Sequence, residues 1–350
     1  MIKGTIEQIK HIKNKLGDRV IIPAHHYQVP QIVALADFVG DSYKLALECS
    51  RTDSEFIIFC GVNFMAEVAN ILGKPHQKVL IPDISSGCPL ADTIDGETVA
   101  RVYKKISSLC ERQVMPVVYI NSSAEVKSFC GEKGGSVCTS SNAAKITEHF
   151  LDKGKAVFFS PDFNLGINTA RKLQISDEKI VNVKRDSKLE TTGNIKSGTL
   201  FIWDGSCYVH KEFTLADVES LRGKYPDINI IVHPECDEDV VNLADISSST
   251  QKIYDEIKKA PSGSIWGVGT EYHFVERITR EFSDRQIMPL RKSICVDMAK
   301  ISPNRLLDSL VSVSNYLETK GTLKYEIKVP ESFKENAALA LKKMIQIVED

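Results

Sequence analysis

A chain of 350 residues is longer than one hydrophobic core usually organises, so two or three domains are expected. With 43% hydrophobic and 26% charged residues it has the composition of a soluble globular protein, and no apolar run approaches the roughly 18 residues of a membrane span. A formal net charge of −2, with no basic stripe carrying interleaved aromatics, excludes an electrostatic case for nucleic acid.

The N-terminal MIKGTIEQIKHIKNKLGDR mixes charged and apolar residues at helical spacing. It lacks the continuous apolar core of a signal peptide, so a cytoplasmic location is expected. A first module follows: a strand in RVIIPAHHYQ, a helix in GDSYKLALEC, a strand and helix in EFIIFCGVNFMAEVANIL, and a last strand in KVLIPDISSGC. MPVVYINSSAEVK opens a second such series, which continues through VCTSSNAAKITEHF and AVFFSPDFNLGINTARKL to TLFIWDGSC. INIIVHPEC opens a third, which ends in QIMPLRKSIC. Each copy has an apolar run ending in polar groups, a Ser/Thr cluster opening a helix, a second strand and helix, and a final strand before a cysteine. The stretches Ser42 to Cys88 and Thr250 to Cys295 are almost equal, whereas Ser140 to Cys207 is longer by about 20 residues. The surplus falls in the polar KRDSKLETTGNIKSG. These patterns predict an α/β protein of three similar three-layer α/β/α domains with short parallel sheets. The expected domains are 1–100, 101–212 with an insertion near 184–198, and 213–299, with 300–350 packing back on the first.

Nine cysteines in a chain expected in a reducing compartment favour metal binding or catalysis over disulfides. Cys49, Cys60 and Cys110 sit in apolar helix or strand contexts and read as small core hydrophobes. Cys130 and Cys138 flank a Gly-rich turn and leave a second metal site open. Cys236 follows HPE and has no equivalent in the other copies. Cys88, Cys207 and Cys295 close the three copies, and none belongs to a C-x-x-C pair. Three isolated thiols at equivalent ends can converge on the axis between the modules, which suits a metal cluster better than a disulfide.

Ligands of parallel α/β sheets bind beyond the carboxyl ends of the strands. Those ends carry His25, His26 and Tyr27, then Tyr119 and Asn121, then His233 and Glu235. Strand alternation places each pair, His25 with Tyr27, Tyr119 with Asn121 and His233 with Glu235, on one face. Ser42, Ser140 and Thr250 stand at helix starts. There they serve as N-caps, as part of an anion site built from free N–H groups and the helix dipole, or as both.

The motifs AHHYQ, GDSYKLA, FCGVNFMAEVA, PDISSGCPLAD, VVYINSSAEVK, CTSSNA, SPDFNLG, VHPEC, SSST and GVGTE, with Cys295 and Met298 as a late C-x-x-M, resemble the quinolinate synthase family. They occur in order from about Arg19 to Ile301. The resemblance implies three α/β domains about a pseudo-threefold axis. It implies a 4Fe–4S cluster held by one cysteine from each domain, matching Cys88, Cys207 and Cys295. It further implies condensation of iminoaspartate with dihydroxyacetone phosphate to quinolinate, phosphate and water, in de novo NAD synthesis. The substrate-handling residues of the family match His25, Tyr27, Ser42, Tyr119, Asn121, Ser140, His210, His233, Glu235 and Thr250. Where some relatives carry C-x-x-C at the last ligand this chain reads SICVDM, so the redox disulfide proposed for that pair is absent. The longer middle module fits one branch of the family. Direct transfer of iminoaspartate through a transient contact with L-aspartate oxidase stays open.

The implied chemistry accounts for the residue types. Three thiolates leave one iron of a cubane open to act as a Lewis acid. Imine formation and ring closure need proton transfer, expected of Tyr27 and Glu235. His233 and Tyr119 complete the expected catalytic set by polarising and orienting the intermediate. Ser42, Ser140 and Thr250 are expected to hold phosphate, and His25, His210 and His233 carboxylate or carbonyl oxygens, with Asn121 as a further orienting group. Two rival readings remain at this level. One is hydroxy-acid dehydration on the same cluster. The other is a non-enzymatic iron or zinc sensor, in which zinc takes His210 as its fourth ligand.

Overall fold

The structure, a computed structural model, describes residues 2–350, with side chains from residue 4. One larger sheet per module carries the chain, and a separate two-stranded sheet joins the first. In the third module Asn229–Val232 lies between Ile246–Ser247 and Ile265–Gly269, and Gln286–Pro289 closes the sheet, all strands parallel. The second module repeats that order with Ser136–Cys138, Val114–Tyr119, Ala156–Ser160 and Leu200–Trp203. Its surplus residues add Ile180–Val183 and the antiparallel Leu189–Glu190 at the edge. In the first module Phe38–Gly40 pairs with Pro23–His25, which reaches Phe56–Ile58 through the Ala24–Cys60 bridge; Lys78–Leu80 follows. Parallel strands covered by helices on both faces must be apolar throughout, and VMPVVY, AVFFS and LFIW are buried at every position.

Local chemistry sets the departures from the expected elements. RVIIPAHHYQ is two strands, Val20–Ile21 and Pro23–His25, because Ile22 turns its backbone to Asp37. Its N–H donates to Asp37 Oδ2 at 2.7 Å, and its carbonyl accepts from Asp37 N at 2.9 Å, while Pro23 has no N–H to offer a ladder. Each module also holds a short second strand directly before its Ser/Thr-led helix: Phe38–Gly40, Ser136–Cys138 and Ile246–Ser247. A helix precedes each of them, Pro30–Val33, Ala124–Glu132 and Glu238–Leu243.

The C-terminal segment ties modules together. Helix Pro303–Thr319 packs on the N-terminal helix Ile2–Leu16, and Glu326–Ile327 adds an antiparallel edge to Lys78–Leu80. The last helix, Glu331–Glu349, runs chiefly against Ala124–Glu132 and Ser136–Cys138 of the second module, with a further contact on Asn63–Leu72 of the first. One hydrophobic core extends through the first two modules into the third, and a smaller cluster around Phe213, Ile230 and Val240 fills the rest of the third. No helix among the described residues is long and apolar enough to cross a membrane.

Candidate active site

Thirteen of the residues singled out in the sequence line one cavity of about 730 Å³, its open mouth included, and His26 stands outside it. The parallel sheets explain the convergence, since the carboxyl ends of their strands face that space. His25 ends Pro23–His25, Tyr119 ends Val114–Tyr119, and His233 follows Val232. The cysteines lie in the loops after the last strand of each module, Cys88 beyond Leu80, Cys207 beyond Trp203 and Cys295 beyond Pro289. Apolar side chains, Val62, Phe64, Met65, Leu90 and Met298 among them, complete the wall and limit water.

Strand alternation is not what pairs the polar groups. The chain turns after His25, and Tyr27 N–H donates to His25 Nδ1 at 3.2 Å. Glu235 N–H donates to His233 Nδ1 at 3.3 Å in the same way. An imidazole that accepts at Nδ1 and is neutral carries its proton on Nε2, so both rings are hydrogen-bond donors at Nε2. Burial keeps them neutral, holding each down to about 3, against the opposing pull of Glu235.

Glu235 is fully enclosed and its carboxylate collects donors. His210 Nδ1 lies 2.8 Å from Oε2, and the Tyr119 hydroxyl donates to Oε1. Burial alone would raise its pKa, but the neighbouring His210 and His233 and these two hydrogen bonds outweigh it and hold the carboxyl below its usual range. Burial first, and then the Glu235 charge, push the Tyr27 and Tyr119 phenols well up, so both are protonated donors. The His210 and His233 rings stack with centroids 4.4 Å apart.

The serines and threonine face the cavity without capping their helices. Asp41 caps Ser42–Arg51, its carboxylate accepting from Lys44 N–H at 3.1 Å. Asn142 and Ser249 occupy the cap positions of Ala143–Leu151 and Thr250–Lys259. Ser140 lies in the preceding turn, and Thr250 donates to the Tyr27 hydroxyl at 2.9 Å. Among the described residues the Ser42 and Ser140 hydroxyls have no protein partner, and Asn121 Oδ1 is buried without one. Among the described residues no lysine or arginine lines the cavity. Helix N-termini, hydroxyls and neutral imidazoles are therefore what the protein offers an anion.

Two buried acids that sequence reasoning did not single out hold the cysteine loops. Asp162 accepts from Leu165 N–H with Oδ1 and from Cys207 N–H with Oδ2. Glu271 accepts from Phe274 N–H with Oε2 and from Cys295 N–H with Oε1. Each follows the third strand of its module, caps the next helix and anchors the ligand loop. The signal lay in SPDFNLG and GVGTE, where an acid follows an apolar strand directly. The first module has no such acid after its third strand; there Ser86 Oγ donates to Gly61 and Asp297 carbonyls.

The donor set fits a cluster better than a single ion. Among the described residues, Cys207, His210 and Glu235 are the one set of three donors whose ligand atoms all lie within 4.8 Å of one another. At least one pair of the three thiol sulfurs therefore stands farther apart. Two sulfurs each about 2.3 Å from one zinc span no more than roughly 4.6 Å. His210 Nδ1 lies 2.8 Å from Glu235 and Nε2 3.1 Å from Thr270, so service as a fourth zinc ligand would break one of these contacts. Burial pushes Cys88 up to about 12 and Cys295 up to about 11, and with the Glu235 and Cys88 charges raises Cys207 well above its usual value. Ionising all three in one enclosed space requires a cationic partner of matching size. The other thiols lie elsewhere: Cys49, Cys60, Cys130, Cys138 and Cys236 are buried and Cys110 is partly so. Among the described residues no third close donor joins Cys130 and Cys138.

A sequence model of the family described as Quinolinate synthetase A protein matches residues 7–346. The chain is 41% identical over 344 residues to a quinolinate synthase of Geobacillus sp. (strain WCH70), covering 97% of this chain and 92% of that protein. Identity to the quinolinate synthase of Bacillus subtilis (strain 168) is 40% over 347 residues, with 97% and 92% covered. For that of Listeria monocytogenes it is 40% over 348 residues, with 98% and 93% covered.

Proposed function

Because the chain belongs to the quinolinate synthase family, we propose that it condenses iminoaspartate with dihydroxyacetone phosphate to quinolinate, releasing phosphate and water. The observation that carries this reading is the meeting of these thirteen residues, three thiols included, in one cavity. Cys88, Cys207 and Cys295 would hold a 4Fe–4S cluster, which when bound supplies a Lewis-acidic iron with an open position. The three modules are then related by a pseudo-threefold axis through it, with boundaries near residues 100, 212 and 299.

The protein's own groups divide the remaining work. Ser42, Ser140 and Thr250, at or just before the N-terminal ends of the Ser42–Arg51, Ala143–Leu151 and Thr250–Lys259 helices, receive the phosphate. Their hydroxyls are small and uncharged, so phosphate can leave without breaking an ion pair to lysine or arginine. His25 and His233 donate from Nε2 to carboxylate or carbonyl oxygens, and Asn121 accepts an N–H or O–H with its unpartnered Oδ1. Tyr119 orients the intermediate while bound to Glu235. Glu235, ionised, is the general base, and the protonated Tyr27 is the general acid at the other end of the same hydrogen-bonded group. The apolar wall keeps water from hydrolysing the imine.

The test is anaerobic reconstitution with iron and sulfide, then assay with freshly generated iminoaspartate and dihydroxyacetone phosphate. Quinolinate and phosphate are expected in equal amounts. A fully loaded chain that yields neither overturns the reading, and dehydration of a hydroxy acid without the phosphate substrate would favour the simpler rival.

A further inference from the structure

His26 is buried, yet stands outside the cavity lining to which its neighbours His25 and Tyr27 belong. It lies against the third module instead. Its ring stacks on Tyr254 with centroids 5.7 Å apart, and lies T-shaped to Phe274 at 5.4 Å. The Arg277 guanidinium rests on those same two rings, its carbon 5.5 Å from each centroid, and donates from Nη2 to His26 Nδ1 at 2.8 Å. At the other ring nitrogen, His26 Nε2 is 3.0 Å from Gln251 Oε1. Gln251 and Tyr254 belong to Thr250–Lys259, and Phe274 and Arg277 to Tyr272–Glu281.

A guanidinium only donates, so His26 Nδ1 accepts. The neutral ring then carries its proton on Nε2 and donates to Gln251 Oε1. The glutamine orientation agrees, since its Nε2 donates to Asp255 Oδ1 at 3.2 Å and leaves the oxygen for His26. Burial first, and then the Arg277 charge, hold His26 well below its usual value; Gln251 opposes them, and His25 and Lys44 act with them. The polarity runs Arg277 to His26 to Gln251 to Asp255, across the seam between the first and third modules. Both sides of that seam are one residue away from groups of the cavity. His26 sits between His25 and Tyr27, Gln251 follows Thr250, and the Tyr27 and Thr250 hydroxyls are 2.9 Å apart.

Resting on the reading above, we propose that His26 is a positioning residue for this reaction. Clamped between the Arg277 guanidinium and the Gln251 amide, its neutral ring ties the His25–Tyr27 turn to the Thr250 helix start, and so sets the spacing of groups that meet the substrate. A misplacement of about 1 Å at such groups costs about 10²-fold in rate.

His26→Phe keeps a ring beside Tyr254 and Phe274 and removes both hydrogen bonds, and Arg277→Met removes the donor. In the reconstituted holoenzyme each should lower kcat/KM by about 10²-fold at wild-type iron content. Because both act through one contact, the double variant should lie within about threefold of the poorer single one. The double variant also lacks the guanidinium that His26→Phe leaves without its acceptor, so it carries the test if that single variant does not fold. Wild-type kcat/KM in any of these variants, loss of iron, or losses that multiply in the double variant would each overturn the proposal. Two readouts are independent of turnover. In nitrogen-15 spectra of the wild type at pH 7, His26, assigned by its loss from whichever His26 variant folds, should be the Nε2–H tautomer; an Nδ1–H tautomer or an imidazolium overturns the proposal. Hydrogen exchange in Arg277→Met should accelerate about tenfold or more at 25–28 and 250–254 together, and unchanged protection there overturns it as well. Wild type that makes no quinolinate defeats the activity reading alone, and the tautomer and exchange results then decide whether His26 holds the seam.

Discussion

Three thiols among nine carry the metal expectation, and substitution separates them from the rest. Cys88→Ser, Cys207→Ser or Cys295→Ser should each abolish the cluster, because two thiolates remain as anchors. Cys49→Ala, Cys60→Ala and Cys130→Ala, all at buried core positions, should leave iron content near normal at a cost of about 1 kcal/mol or more. Iron and sulfide analysis after anaerobic reconstitution decides this, and a triple variant of the three that still bound about four irons per chain would sink the assignment. Glu235→Gln and Tyr27→Phe should keep the iron and lose about 10²-fold or more in turnover. The neutral histidines make a further prediction with a definite sign. His25 and His233 ionise near 3 in the folded chain instead of 6.5, so between those values the unfolded state binds more protons. Stability should thus fall as pH drops below 6.5 and continue falling toward 3, by roughly 1.4 kcal/mol per pH unit for each ring. Denaturant unfolding of the apo chain at pH 7.5 and 5.5 measures this. His25→Asn, which retains an acceptor for the Tyr27 N–H, should flatten the dependence; an unchanged slope would refute the buried neutral state.

Helix starts hold the clearest division between support and function. Asp41 is the cap of Ser42–Arg51, so Asp41→Ala should cost about 1 kcal/mol of stability, while Ser42→Ala should cost almost none. Ser42→Ala, Ser140→Ala and Thr250→Ala should instead weaken binding of dihydroxyacetone phosphate by roughly 1–3 kcal/mol each, the usual value of a hydrogen bond to a charged group. Calorimetry on the reconstituted chain, paired with thermal melts, resolves the two effects; full affinity in all three would return these residues to a structural role. Asp162 and Glu271 belong to the same scale. Each joins a helix start to a cysteine loop, so Asp162→Ala and Glu271→Ala should lower both melting temperature and cluster retention under chelator challenge.

Across the molecule, the last helix decides whether the first two modules act as one. Glu331–Glu349 approaches Ala124–Glu132 so closely that a Cβ on Gly131 would lie 1.8 Å from the Asn336 carbonyl oxygen. Gly131→Ala must therefore shift the helix and should destabilise by about 1–3 kcal/mol or more. Leu341, fully buried on the same helix, should cost about 2–5 kcal/mol as Leu341→Ala. A single cooperative unfolding transition that moves as a whole is expected in both, since one core runs through these modules. Two separate transitions would show that the helix is peripheral.

Much of this was legible in local chemistry. Apolar runs of strand length, turns into helices and three terminal cysteines repeat along the chain, and parallel sheets place strand ends on one side, so the three-module α/β fold and most of the cavity-lining residues follow from pattern and spacing, whereas His210 came only with the family resemblance. Strands as short as Ile246–Ser247 were not legible, because two residues cannot establish an alternation. The surroundings of Ile22, and capping by Asp41 in place of Ser42, depended on which partner came within reach. Thr270 was the least visible of all, since a threonine after a strand is ordinary and its meaning lies in Tyr27 and His210, both remote in sequence. Only the tertiary structure brought those groups within hydrogen-bond distance, because the strand ends of separate modules meet around one buried carboxylate.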